Sequence, residues 1–480
     1  MIKNSIWSFL GTIGGQVITL LGNIILARML YPDLFGLLGM AVLFSGLILV
    51  IQEAGFSSYI IYKKGLNQEY ISTSFWLNIN LSLIMSILFY SCSEIIVKFF
   101  ERPELKNIIL LLCIGMLFSS LCTTSRAVLT KEKKFRILAI IDVTAQIVST
   151  IAAIILAVLN YDYLAISARF LILPAIQCCL LLSINFKRVF GSFSWEIAKK
   201  IFPYSTKILG TNIFIYFNNN LDYFIIGKLL GSRELGLYTI AYQWSVMARF
   251  YISGSVNKVL FPEISSHNAN LNDVKKTFLN VTDSVSFITF PICFGLSAIG
   301  NDFIYLCYGS QWLDSVKVLQ LLVIAGAITS IGTLSGSLFQ GLGKPQVELK
   351  FNILSFIINI VFIVIGAQFG LIGIATSILI ATIVLECYKT FLIKVLLNMS
   401  IIKLCMSFFP NLIASLIMFL TILTINHFLF GHLLFIMRIT LSIIIGIIIY
   451  ITLAFMINKT KLIEMMKLLF RLLPKKDRVD

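Results

Sequence analysis

Apolar runs of about twenty residues or more succeed one another along the chain, each bounded by charged residues or by Pro and Gly. In lipid such runs must be helical. An open strand edge leaves backbone groups unpaired in hydrocarbon, and about 20 helical residues cross the core. The pattern predicts an all-α polytopic membrane protein of about fourteen transmembrane helices. Six spans lie near 6–30, 35–62, 71–97, 105–128, 137–159 and 163–186. Six more follow near 203–228, 236–262, 278–300, 316–340, 351–370 and 372–397, with a last pair at 405–430 and 433–457.

The polar and small residues between the runs repeat. Residues 26–41 reappear in outline at 226–241: Arg28 matches Lys228, and Leu30, Gly36, Leu37 and Ala41 recur as Leu230, Gly236, Leu237 and Ala241. A weaker echo sets Leu129 and Lys131 against Leu342 and Lys344. Two halves built alike in so apolar a chain mark a transporter with a site between its lobes. The expected organisation is a six-helix lobe over 1–186, a cytoplasmic interfacial linker at 187–202, a second six-helix lobe over 203–400, helices 13 and 14 over 401–458, and a basic tail over 459–480. Six is even, so both halves start on the same side and a two-fold along the membrane normal relates them. The lobes should enclose a cavity that opens to one side at a time.

Composition agrees with this class: 58% of residues are hydrophobic and only 12% charged, with a mean hydropathy of +0.95. The net charge of +16 is distributed by topology. If the N-terminus is inside, 26 of the 38 Lys and Arg fall in inward segments, among them Arg126 and Lys389, and 8 in outward ones. Both termini are then cytoplasmic. The excess charge meets anionic lipid, and nothing else in the chain suggests nucleic acid.

Several chemistries are excluded. One Lys precedes a first apolar segment too long for a signal core, with no small-residue cleavage site after it, so the first span is expected to stay. Nine Cys lie mostly inside spans without C-x-x-C spacing, and the three His are His267, His427 and His432; no metal site is expected. Gly341-Leu-Gly-Lys344 lacks the spacing and hydroxyl of a phosphate-binding loop. No cofactor is expected, and coupling to an H+ or Na+ gradient stays open. The segment 187–200, with Phe193, Trp195 and Ile197 among basic residues, reads as an interfacial helix.

Asn23-Ile-Ile-Leu-Ala-Arg28-Met-Leu-Tyr-Pro32-Asp-Leu-Phe-Gly36, then Glu53-Ala-Gly55-Phe, Asn220-Leu-Asp222-Tyr-Phe-Ile-Ile-Gly227 and Val259-Leu-Phe261-Pro262 resemble the polysaccharide transporter branch of the multidrug, oligosaccharidyl-lipid and polysaccharide exporter superfamily. The resemblance spans the whole chain, and its motifs mark lobe starts and report no sugar. It implies a Wzx-type flippase, not an enzyme, in the bacterial cytoplasmic (inner) membrane. The implied cargo is an undecaprenyl-pyrophosphate-linked oligosaccharide, moved from the cytoplasmic to the periplasmic leaflet for lipopolysaccharide, capsule or exopolysaccharide synthesis. Besides the bilayer, polysaccharide polymerase machinery is the partner that role suggests.

A lipid-linked pyrophosphate needs a cationic, polar cavity. A charge at the bilayer centre costs about 2.5 to 3.5 kcal/mol on the insertion scale, so each one inside a span invites a functional reading. Arg249, near the middle of the eighth span, and Arg169, inside the sixth, are the leading candidates, because guanidinium forks phosphate oxygens. Lys207 and Lys258 are further candidates, although long stems near span ends snorkel. Asp222, Glu53 and Glu386 are candidates for a coupling ion or for ion pairs. The membrane potential, worth about 2.3 kcal/mol per charge per 100 mV, pushes an anion outward, so ion coupling is not obligatory. Gly11, Gly14, Gly15 and Gly22 in the first span suit close packing or bending.

Three other readings remain open on the residues alone. A multidrug exporter of the same superfamily should carry a buried acid in the first lobe, and the first span offers only Thr12, Gln16, Thr19 and Asn23. A lipid II flippase fits fourteen spans equally well. A membrane-embedded polysaccharide polymerase or ligase needs a sizeable outward loop, and the longest here, 301–315 with Asp302, Cys307 and Asp314, has about 15 residues.

Overall fold

A computed structural model describes residues 2–53, 59–60, 67–266, 271–430 and 433–472, and among these the regular structure is all helix. Twelve helices are long and apolar enough to cross a membrane. They match expected spans one to six and nine to fourteen. The two remaining expected spans are helical but fall outside the twelve: Asn218, Asn219, Asn220 and Asp222 interrupt the apolar character of the seventh, and a π-helical turn at Arg249–Ser253 divides the eighth into two shorter helices. The chain divides into two compact units, Met1–Gly236 and Leu237–Asp480.

Unit 1 contains α1 (Ile2–Met29), α2 (Pro32–Glu53), α3 (Gln68–Ser91), α4 (Ser93–Phe100), α5 (Leu105–Lys131), α6 (Phe135–Val158), α7 (Asp162–Val189), α8 (Trp195–Leu229) and the start of α9 (Ser232–Ala248). The near face of this unit is where α1 starts, and the far face is where it ends. Pro32 opens α2 with Asp33 in its first turn, a preorganised start that suits the helix dipole. Asn160, at φ 60, turns α6 into α7; Asn tolerates the left-handed region better than most residues. Residues 190–194 are tied to α3, with Ser72 donating to the Ser192 carbonyl at 2.8 Å and Trp76 to that of Gly191 at 3.0 Å. Of the segment expected to form an interfacial helix, 187–189 end α7, 190–194 are non-helical, and the residues from Trp195 on open α8, a single helix of 35 residues.

Lipid gives helices no hydrophobic reason to associate, so close packing of small residues and interhelical hydrogen bonds must hold them together. In the first span Gly11 and Gly22 serve this purpose: a Cβ at either would sit 2.7 Å from Ala139 Cβ or 2.5 Å from Thr150 Cγ2 on α6. Gly15 faces open space. Between α3 and α5 a buried polar seam runs through Asn78, which donates to Thr124 at 3.2 Å, and Ser82 and Ser86, which donate to backbone carbonyls. The repeated glycines meet each other's helix. A Cβ on Gly36 would lie 1.6 Å from the Ser232 carbonyl oxygen, and one on Gly236 would lie 1.9 Å from that of Pro32. Asp33 locks this crossing by accepting from the Ser232 hydroxyl and from Arg102.

Unit 2 continues from α9 through a π-helical turn (Arg249–Ser253) into α10 (Gly254–Ser266), α11 (Leu271–Ala298), α12 (Gly300–Tyr308), a 3-10 turn (Ser310–Ser315), α13 (Val316–Gly332), α14 (Leu334–Gly341), α15 (Pro345–Ala367) and α16 (Gly370–Leu397). It ends with α17 (Ile401–Met406), α18 (Phe409–Phe428), α19 (Phe435–Ile457) and α20 (Lys459–Leu472). The segment read as a 15-residue loop is helical. Its Trp312 and Tyr308 are fully buried, and Tyr308 accepts from Trp244 at 2.8 Å. Aromatic packing therefore orders a stretch that polarity alone marked as loop.

Candidate functional site

Two arginines, Arg126 and Arg169, stand more than one turn inside the spans of unit 1. Arg126 lies about 8 Å from the near end of α5, at 1.5 Å per residue. Its Nη1 donates to Asp142 Oδ2 at 2.9 Å and its Nη2 to Oδ1, while Gln177 donates to the same carboxylate at 3.0 Å. The charge count along the sequence took Arg126 with an inward segment, although the expected span 105–128 contains it; it is a helix residue with a counter-charge one helix away. Asp142 and Gln177 were not singled out from the sequence, although a carboxylate inside the run 137–159 was a visible signal.

Arg169 is held differently. It sits on α7 about 10 Å from the far end, and its Nη1 donates to Asn23 Oδ1 on α1 at 2.7 Å. Its Nη2 is buried without a hydrogen-bond partner, and no carboxylate among the described residues pairs with it. A buried donor left unsatisfied costs about 1 to 3 kcal/mol, more when charged. An anion contributes the missing acceptor and the missing charge together.

In unit 2 the charged side chains at membrane depth occur with partners. Glu386 pairs with Lys389 at 2.6 Å; the ammonium also donates to the Gly332 carbonyl at 3.2 Å and lies 4.5 Å from the Phe351 ring centre. Gly332 makes this possible, since a Cβ there would fall 1.9 Å from Glu386 Oε1. Lys389, counted above with an inward segment, lies inside the expected span 372–397. Asp302 and Arg438 form a two-pronged pair between α12 and α19. Asp283 on α11 accepts from Asn411 at 2.8 Å and Asn458 at 3.2 Å, with Lys461 at 4.0 Å. That carboxylate gathers α18, α19 and α20 onto one helix.

Arg249 opens the π-helical turn, a local insertion often found at functional positions. Beside it Ser253 donates to the Ser330 carbonyl at 2.7 Å, which fixes the turn against α13. Asp222 is buried on α8 and accepts from the Tyr223 amide at 2.9 Å. The side chains of Glu53, Lys207 and Lys258 lie outside the described residues. Outside the spans, at the near face, Glu132 takes a hydrogen bond from Lys134 at 2.7 Å and another from Arg188 at 2.5 Å. Lys134 first, then Arg188, hold its carboxyl below the usual range against a smaller opposing effect of burial.

A family model described as "Polysaccharide biosynthesis protein" matches residues 25–317. The lipopolysaccharide biosynthesis protein WzxC of Escherichia coli is 26% identical over 436 residues, covering 86% of each chain. The succinoglycan biosynthesis transport protein ExoT of Rhizobium meliloti is 22% identical, covering 72% of this chain and 70% of that one. Among solved structures, the lipid II flippase MurJ in an inward closed conformation superposes with a TM-score of 0.73 at 20% identity, over 96% of this chain and 99% of that one. At that identity the likeness is one of fold.

Proposed function

The chain belongs to the polysaccharide biosynthesis protein family, and from that membership we propose that it is a flippase for undecaprenyl-pyrophosphate-linked oligosaccharide repeat units. It carries them from the cytoplasmic to the periplasmic leaflet by alternating access, in the inner membrane, and hands them to a polysaccharide polymerase. The proposed topology is fourteen spans with both termini inside. The similarity to WzxC, a lipopolysaccharide biosynthesis protein, and to ExoT, a succinoglycan biosynthesis transport protein, supports a transporter, not an enzyme.

One observation within the chain carries the reading. Arg169 is a guanidinium at membrane depth with an amide on one nitrogen and no acceptor on the other. A pyrophosphate anion suits it and an organic cation does not. Arg249 is the second proposed contact for the phosphates. Lys207 and Lys258 are proposed as secondary cations, and Asp222, Glu53 and Glu386 as ion-pair or coupling groups.

The test is complementation of a strain lacking its surface-polysaccharide flippase, with lipid-linked repeat units assayed in each leaflet. The wild type should restore export. At matched membrane levels, Arg169→Ala should leave the units inside, with export down at least tenfold. A wild type that rescues a lipid II flippase depletion but no repeat-unit pathway would overturn the cargo. One that instead expels organic cations would overturn the class.

A further inference from the structure

The layer of unit 1 that holds Arg169 contains a second unsatisfied group. Thr150 on α6 is buried, and its hydroxyl has no hydrogen-bond partner among the described residues. A threonine inside a helix ordinarily returns its hydroxyl to a carbonyl of the preceding turn. Thr144, on the same helix, does so at 2.8 Å to Ile140, as do Thr282 and Thr289 in unit 2 at 2.8 and 2.9 Å. Thr150 does not. Its hydroxyl instead faces α1 at Gly22, 3.4 Å from where a Cβ would stand, next to the Asn23 that holds Arg169. The other unsatisfied buried atoms, on Ser74, Arg102, Asn218 and Ser415, lie on different segments.

Thr150, Asn23 and Arg169 share one depth. They stand eight, six and seven residues from the far ends of α6, α1 and α7, or about 9 to 12 Å at 1.5 Å per residue. Two donors in one layer lack an acceptor, and one of them is charged. Asn23, the group that does touch the guanidinium, is neutral, so it orients the cation without cancelling it. Gly22 keeps α1 and α6 close at Thr150, one residue before Asn23.

We propose that Asn23, Thr150 and Arg169 form a subsite for one phosphoryl oxygen of the cargo in the far third of unit 1, with Arg169 Nη2 and Thr150 Oγ1 as donors and Asn23 as the positioning residue. The subsite rests on the flippase reading and deepens it. With Arg126 already neutralised nearer the other face, the free cation lies on the side towards which the anion travels.

The test uses the full-length protein in phosphatidylcholine nanodiscs. Farnesyl pyrophosphate, inorganic pyrophosphate and farnesol serve as probes, and binding is read from the shift in thermal unfolding. Farnesyl pyrophosphate should protect the wild type and farnesol should not. Thr150→Val, which keeps the shape that packs on Gly22, should weaken protection about tenfold, the worth of one hydrogen bond to a charged group. Asn23→Asp is the sharper variant. It supplies Arg169 with a counter-charge, so the unliganded protein should unfold no earlier than wild type while protection and export are lost. Were Asn23 merely structural, Asn23→Asp would leave protection intact, and the proposal falls. Phosphatidylglycerol added to the discs should not protect; protection by it that vanishes in Thr150→Val would assign the subsite to a lipid head group and overturn the cargo assignment. A wild type that exports repeat units without protection by either pyrophosphate removes the subsite and leaves the flippase. One that binds but exports nothing removes the function instead.

Discussion

Arg126 and Arg169 are the same residue type, inside the same unit, at similar distances from opposite faces, and they are held in opposite ways. Arg126 meets a carboxylate with both nitrogens, and a glutamine steadies that carboxylate. Arg169 meets one amide. The first arrangement neutralises a charge to hold three helices together; the second orients a charge and leaves it unneutralised. A buried cation in a transporter is therefore not evidence of a binding site until its partners are known.

The largest expected effect comes from breaking the neutralised member. Asp142→Ala leaves Arg126 without its counter-charge. Removing one partner of a buried pair costs about 3 to 5 kcal/mol; the two side chains here are about one third exposed, which points to about 2 kcal/mol. Membrane yield and unfolding temperature should both drop. Arg169→Met should keep both near wild type while export fails, because no acid is left behind. Equal destabilisation by the two variants would erase the contrast.

A smaller change sharpens the same comparison. Gln177→Leu removes one neutral hydrogen bond to Asp142 and should cost about 1 kcal/mol, read as a modest shift in unfolding temperature with export retained. Complete loss of export in Gln177→Leu would mean that the Arg126 pair itself takes part in transport.

The smallest effect is expected at the near face, where Glu132, Lys134 and Arg188 repeat the neutralised arrangement in solvent. Their cations lower the Glu132 carboxyl, so the folded state binds its proton less readily than the unfolded chain. This contribution is fully present above the ordinary carboxylate range and is lost as pH falls through the lowered value. Glu132→Gln should remove that acid-side slope, and added salt should flatten it in the wild type. A slope unchanged in Glu132→Gln would place the titrating group elsewhere.

Much of the fold was legible along the chain. The apolar runs located the twelve spanning helices closely, and the 200-residue echo pointed to Gly36 and Gly236, which meet each other's helix at the α2–α9 crossing. The run 301–315 was misread, because the burial of Tyr308 and Trp312 depends on Trp244 and neighbours far along the chain. For the site, Arg169 and Asn23 were both visible, but nothing joined them: 146 residues separate the pair. Arg126 and Lys389 were counted with inward segments although they fall inside expected spans, because charge was counted by position, without the acids that pair with them, Asp142 and Glu386.

By itself the sequence determined an all-helical membrane chain, the positions of its spans, its internal repeat and its family. Each of these follows from properties local in sequence, the length of an apolar run or the recurrence of a motif. Tertiary structure alone decided which buried charges are cancelled and which are left without a counter-charge. Position along a helix sets a side chain's depth, but its partner belongs to another helix, and the electrostatic outcome is a property of the pair.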